Sequence, residues 1–380
     1  MTATVPAVVA RRWPRRAAYA GVAGLAVLLP TSTAGASWLL ANQVLNVTAG
    51  RQYPLRVKDV SDGRVTLTRT VDTSRPFPLS FVWPDGHARL GPIVRDDKST
   101  VTREITVDRG ALRAGARGYS SGYVYEGTPS LSYRDVTVSG PLGPLPAWLI
   151  PGTSATWIIA VHGRGAPRGE ALRILPTLAA SGHPTLVVTY RNDDGAPASP
   201  DGRYHLGATE WEDVLAAVEY ARSHGAMSVV LYGWSMGGTI LLTMLRRWSH
   251  DGFVRGLIMD CPVIDWASTL RMNARQLGIP SAWTWTALRL IERQARLRMR
   301  DLDLRGFVSS LDVPTLLFVD HDDPTVASGP TLEFGRARPE LIRTVETHGA
   351  GHCRVWNVDP SRYEGEVRGF LSGLRDTEFV

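Results

Sequence analysis

The segment Ser228-Val-Val-Leu-Tyr-Gly-Trp-Ser235-Met-Gly-Gly-Thr239-Ile-Leu-Leu-Thr-Met-Leu-Arg-Arg-Trp248 decides the fold. Its first five residues read as a buried strand, and Thr239 to Trp248 read as a helix. Between them, Gly233-Trp234-Ser235-Met236-Gly237-Gly238 takes the G-x-S-x-G form in the strand-turn-helix context of a nucleophile elbow. Gly233 and Gly237 suit a strained turn with close backbone neighbours, which would push Ser235 Oγ out of the strand top and aim the following N–H at the same point. The spacing is not G-x-G-x-x-G, and the lysine of a phosphate-binding loop is missing, so a nucleotide reading fails. The competing reading is an incidental serine in a glycine-rich turn, and only the surrounding sequence can decide between them.

Outward from this segment, apolar runs recur at Trp157–Val161, Thr185–Thr189, Gly256–Met259, Pro314–Val319 and Ile342–Val345, after two short strands at Ser132–Val138 and Leu145–Ile150. Runs apolar on both faces, separated by helical stretches, predict a mostly parallel sheet covered by helices. One such helix is expected to start near Thr209, where Thr209-Glu-Trp-Glu212 has the capping-box pattern. Its Trp211, Val214, Leu215 and Val218 form a core stripe.

Three further motifs follow strands of this sheet. Val161-His162-Gly163-Arg164-Gly165 offers an H-G-x-G turn whose Arg164 N–H, with that of Met236, would make an oxyanion hole; His162 reads as a structural residue of the turn. Asp320-His-Asp322-Asp323-Pro-Thr-Val326 presents three acids, of which Asp323 fits the role best and Asp322 is the runner-up; the two that do not take the role are expected in turn hydrogen bonds or in solvent. His348-Gly-Ala-Gly-His352 ends the series, with His352 as general base and His348 as structural. The order Ser235, Asp323, His352 matches one of the three known triad orders. A metal reading of His348, His352 and Cys353 is disfavoured, because a glycine-rich loop holds ligand geometry poorly; no metal or organic cofactor is expected.

On these four motifs, residues 131–380 resemble the α/β-hydrolase superfamily. More narrowly, Tyr190-Arg-Asn-Asp193 and Tyr204-His-Leu-Gly207 bring them near membrane-anchored bacterial members of the serine-aminopeptidase-like or ABHD-type branch. The resemblance implies acyl-enzyme hydrolysis of an ester, or alternatively of a peptide or amide bond, since one constellation serves all of these. A non-catalytic scaffold is the rival from another class. The insertion Trp266–Asp312, with Trp283, Trp285, Leu288, Leu290 and Ile291, is either ordinary packing or a short cap over an acyl pocket, whereas Arg164 and the 190–193 loop are candidates for polar substrate contact.

The N-terminus reads as an address. Arg11, Arg12, Arg15 and Arg16 precede a run, Ala17 to Gly50, without one charged side chain, and Ala17–Leu29 is its apolar core. A membrane anchor with the rest of the chain on the extracytoplasmic side is expected, with secretion after cleavage near Ala36 as the alternative. These arginines supply four of the net +6 charges, leaving +2 for residues 17–380, so the basic balance is read as confined to this end and nucleic acid is excluded as a partner. The only two cysteines, Cys261 and Cys353, leave a single disulfide open.

From Tyr53 to Gly127 the texture differs. Period-2 runs at Arg64–Val71, Leu79–Trp83 and Val101–Val107, with a Pro84-Asp85-Gly86 turn, predict a small all-β module, and Ala114–Gly127 reads as a linker or a surface loop. The expected organisation is therefore an N-terminal signal or anchor (1–50), a β-rich module (51–130) and a catalytic α/β-hydrolase domain (131–380). The β module could also dock the protein to a partner in the cell envelope.

Overall fold

A computed structural model describes residues 33–47, 53–122 and 131–376. Helix α1 (Thr33–Leu45) is followed by strands β1 (Leu55–Ser61), β2 (Arg64–Thr68), β3 (Leu79–Trp83), β4 (Gly86–Asp96), β5 (Thr100–Arg109) and β6 (Arg117–Ser121). The six strands close into a barrel in the order β1-β2-β5-β4-β3-β6. Alternation in these strands places Leu55, Val57, Val65, Leu67, Phe81 and Leu90 in a separate core, as period 2 requires of a sheet wrapped round its own interior. Pro84-Asp85-Gly86 turns β3 into β4, with Trp83 opposite Gly86. The stretch read as a linker or surface loop contains β6, which pairs with both β1 and β3; its residues 123–127 lie outside the described residues. Its glycine, serine and tyrosine residues suggest a loop, yet pairing on both edges of β6 overrides that weak preference.

The second unit opens with β7 (Arg134–Gly140), β8 (Gly143–Ile150), β9 (Thr156–Val161), α2 (Leu175–Ala180), β10 (Thr185–Val188), α3 (Trp211–Ser223), β11 (Ser228–Trp234) and α4 (Met236–Arg247). It continues through β12 (Val254–Asp260), α5 (Trp266–Gln276), α6 (Ser281–Gln294), β13 (Thr315–Asp320), α7 (Ser328–Ala337), β14 (Ile342–Thr347), α8 (Val355–Val358) and α9 (Pro360–Asp376). The eight strands form one sheet, β14-β13-β12-β11-β9-β10-β8-β7, parallel from β14 to β10 and antiparallel at β8 and β7. Strands β9 to β13 are buried almost throughout, because helices and their apolar clusters cover both faces. This is the α/β-hydrolase architecture. β11 lies inside the sheet between β9 and β12, so the turns after β9, β11 and β13 open at one edge, where ligands meet parallel sheets.

One local expectation fails. α3 begins at Trp211 without a side-chain cap, and Thr209 Oγ1 has no partner. Glu210 instead turns inward and accepts the N–H groups of His205 and Gly207, a tertiary demand that outweighs the local box. The apolar core Ala17–Leu29 lies outside the described residues, and among the described ones no helix is long and apolar enough to cross a membrane. Trp38-Leu-Leu-Ala41, which prolongs that apolar run in the sequence, belongs to α1. That helix packs on α6, with Ser37 Oγ donating to Trp283 O at 3.0 Å and Ala41 and Leu45 fully buried.

Candidate active site

Ser235 sits between β11 and α4 with φ 52° and ψ −118°, a conformation that costs about 1–3 kcal/mol for a residue with a Cβ. The glycines on either side are sterically required. A Cβ at Gly237 would lie 2.2 Å from Val161 O, and one at Gly233 would lie 2.7 Å from the Gly237 carbonyl carbon. The serine N–H is held by Asp260 O at 3.0 Å, which ties the elbow to the end of β12.

Two loops bring the partners. His352 Nε2 is 2.8 Å from Ser235 Oγ, and His352 Nδ1 is 2.7 Å from Asp323 Oδ2. A carboxylate can only accept, so Nδ1 carries the proton and Nε2 is left to accept from the serine hydroxyl. Burial works to lower the His352 pKa, but the charge and hydrogen bond of Asp323 outweigh it and hold it above the ordinary 6.5. Asp323 is fixed in turn by the N–H groups of Thr325 (2.8 Å) and Val326 (2.9 Å).

The other two acids have different work. Asp320 accepts the N–H groups of Ala350 and Gly351 and the Thr347 hydroxyl, and Asp322 accepts the Gly349 N–H. Both therefore shape the loop that carries His352. His348 is exposed, stacked on His321 at 4.3 Å and away from Ser235. The donors that do cluster with His352 are Cys261 and Cys353, all within 4.8 Å of one another, in place of the set that includes His348. Both cysteines are buried free thiols; burial pushes Cys353 well up, and Cys261 stands at about 12 despite its hydrogen bond to Cys353, through burial and the nearby Asp260.

Met236 is the first residue of α4, so its N–H has no acceptor within the helix and stands at the positive end of the helix dipole. The facing turn is braced from behind. Gly163 N–H donates to Glu170 Oε2 at 2.7 Å, while Tyr190 Oη donates to Gly163 O at 2.9 Å. His162 is buried, bonded to Asp193 at 2.8 Å and stacked on Tyr190; burial works to lower its pKa, but Asp193 outweighs burial and holds it above the ordinary value. Arg164 and Ser235 line the same space.

The 190–193 loop does not reach the site as the sequence suggests. Tyr190 and Arg191 are buried, Arg191 is clamped by Asp213 and Glu212, and Asp193 serves His162. A charged loop next to a strand end resembles a binding loop in one dimension, but each charge finds an internal partner.

Sequence reasoning missed the buried pair Glu170–Arg173. Arg173 Nη1 donates to Cys353 O at 2.7 Å and to Gly122 O at 3.4 Å, so one ion pair links the 163–164 turn, the His352 loop and the barrel. The i,i+3 acid–base spacing is its only sequence signal, and that pattern commonly marks a solvated face. The barrel grips the same loop. Arg354 pairs with Asp72, Asn357 Nδ2 donates to Pro78 O at 2.9 Å, and Arg75 donates to Gly349 O. Buried Arg103 holds this rim together by donating to the carbonyls of Thr73, Arg75, Phe77 and Gly91; burial lowers its pKa to about 10.

Two spaces meet at Ser235 and His352. A cleft of about 450 Å³ is bordered by Pro54, Tyr119 and Ser121 of the barrel and by Arg164 and Glu170. A cavity of about 390 Å³ is walled by Leu40 and Val44 of α1, Trp266 and Leu270 of α5, and Leu288 and Ile291 of α6.

Comparisons with known proteins agree with this architecture. Residues 178–336 match the prolyl oligopeptidase family, and residues 56–121 match a domain of unknown function (DUF8805). No curated protein matches the sequence significantly. An esterase from Pyrococcus furiosus superposes with a TM-score of 0.51 at 20% identity, covering 64% of this chain and 93% of its own. A putative aryl esterase from Burkholderia cenocepacia gives 0.45 at 21% identity, covering 64% and 100%. A bacterial membrane phospholipase A gives 0.46 at 19%, covering 64% and 87%. At 20% identity, the Pyrococcus furiosus likeness speaks to the fold alone. The chain therefore has the α/β-hydrolase fold, and its segment 178–336, which spans the elbow and the region up to α7, is similar to the prolyl oligopeptidase family.

Proposed function

We propose that the protein is a carboxylesterase in which Ser235 attacks the ester carbonyl, His352 takes and returns the proton, and Asp323 orients His352. The observation that carries this reading is the unbroken relay of 2.8 Å and 2.7 Å contacts ending where the cleft and the cavity meet. The N–H groups of Met236 and Arg164 are the donors for the oxyanion; one such donor is worth about 10²–10³ in kcat. The apolar cavity suits an acyl chain, and the more polar cleft beside the barrel suits the leaving alcohol. Detergent-solubilised full-length protein should react with a fluorophosphonate probe and lose that reaction in Ser235→Ala; equal labelling of both would sink the assignment. Amide or peptide cleavage is the second reading, favoured by the prolyl oligopeptidase match. Rates on an acyl ester and the anilide of the same acid separate the two.

We also infer that the N-terminal segment (1–50) anchors the protein to a membrane, with the hydrolase outside the cytoplasm. The four arginines and the uncharged run behind them support this topology. Cleavage near Ala36 would cut through α1, a wall of the cavity, which favours a retained anchor. An amino-terminal tag recovered with the membrane fraction would support retention, and its loss from mature protein would overturn it.

A further inference from the structure

The elements that roof the cavity carry a charge imbalance that the whole-chain balance conceals. From Trp266 to Arg300 there are seven arginines against one acid, Glu292, so this stretch alone has a net charge of +6. All seven arginines are exposed. Arg289 pairs with Glu292, and Arg298 and Arg300 approach Asp301. Arg271, Arg275, Arg293 and Arg296 meet no carboxylate among the described residues. The reading that positive charge is confined to the N-terminus is therefore corrected. Clustered charge of this kind repels itself, and an anionic surface relieves the repulsion.

Large apolar side chains stand exposed in the same elements. Trp285 of α6 is 60% exposed, Leu277 between α5 and α6 is 43% exposed, and Trp38 and Leu39 of α1, packed beside α6, are 48% and 43% exposed. Arginine together with tryptophan and leucine is the composition of helices that lie in a lipid interface, where the rings sit at headgroup level and the cations meet anionic lipid. The uncharged run that includes Ala17–Leu29 leads directly into α1. An anchor there would deliver α1 and α6 to the bilayer surface. Leu40 and Leu277 line the cavity that ends at Ser235.

We propose that the outer surface of α1, α5 and α6 docks onto an anionic lipid bilayer, and that the substrate is a long-chain acyl ester drawn from that bilayer into the cavity. The substrate half rests on the esterase reading above, whereas the docking half does not. Each basic side chain near an anionic surface contributes about fivefold to association, and the effect fades with salt.

The test reconstitutes the full chain in vesicles of phosphatidylcholine, with or without phosphatidylglycerol. It compares wild type with the combined variant Arg271→Gln, Arg275→Gln, Arg293→Gln and Arg296→Gln. None of these four residues lines the cavity or the cleft. Hydrolysis of a vesicle-embedded long-chain ester should rise at least about tenfold with phosphatidylglycerol, and the variant should lose that gain while keeping wild-type rates on a short soluble ester. Brominated lipid should quench Trp285, read as the difference between wild type and Trp285→Phe, in anionic vesicles and not in the variant. Equal rates on both lipids, or an unquenched Trp285, overturns docking. Absence of Ser235-dependent turnover on either ester overturns the esterase reading instead, and the quenching measurement, which needs no turnover, still judges docking.

Discussion

At the scale of single residues, the raised pKa of His352 has a definite consequence. On the proposed mechanism His352 must be neutral to accept the Ser235 proton, so kcat/KM is expected to rise with pH through a midpoint above 6.5; a profile flat from about pH 5 to 8 would count against this role. Asp323 is the source of the upward shift, so Asp323→Asn should move that midpoint down and lower kcat by about 10⁴-fold, as loss of the orienting acid does elsewhere. A full pH–rate profile of both proteins checks direction and size together. The thiols give a second residue-scale expectation. Cys261 and Cys353 are buried and their pKa values are raised, so neither should react with a thiol reagent at pH 8 until the protein is denatured. Rapid titration of two thiols in the native state would contradict the packing around the site.

At the scale of elements, the site depends on loops that are held from outside it. Glu170 anchors the 163–164 turn, and Arg173 joins it to the His352 loop. Glu170→Gln keeps the shape but weakens the acceptor and removes the partner of a buried cation. Its expected effect is a fall in kcat of about 10-fold or more with little change in KM, because on the proposed mechanism a donor that binds only the developing oxyanion is loosened. Steady-state kinetics on a short ester separate the two parameters. Arg103 performs a similar task in the barrel. Arg103→Leu leaves four carbonyls without their donor and should destabilise the barrel by about 3 kcal/mol or more, read by chemical denaturation. Because the same rim contacts the Gly349–Asn357 stretch, the loss should also slow hydrolysis below the unfolding temperature.

At the scale of the whole molecule, three regions far apart in sequence enclose one site. α1 and the α5–α6 roof wall the cavity, and the barrel borders the cleft. Removing residues 1–50 therefore removes a wall along with any anchor. That truncation should expose the surfaces that bury Ala41 and Leu45, lower the melting temperature and erase preference for long acyl chains, while a truncation after residue 32 should do none of these. Thermal melts and acyl-chain profiles of the two truncations give the answer.

Much of this was legible in the sequence because its signals are local. The strand-to-helix context of Ser235, the glycines that a backbone approach of 2.2 Å demands, and the chain order of Ser235, Asp323 and His352 all follow from short segments. The parallel strands were readable because residues buried on both faces must be apolar. The tertiary structure decided matters that depend on encounters between distant segments. It assigned Asp323 to His352 and gave Asp320 and Asp322 to the loop backbone. It turned the charged 190–193 loop inward, opened the capping box at Thr209, and recruited Glu170, Arg173 and the barrel rim to brace the site. A charged side chain looks the same in sequence whether water or a carbonyl 180 residues away satisfies it. Burial makes that partner obligatory, and only the folded chain shows which one it is.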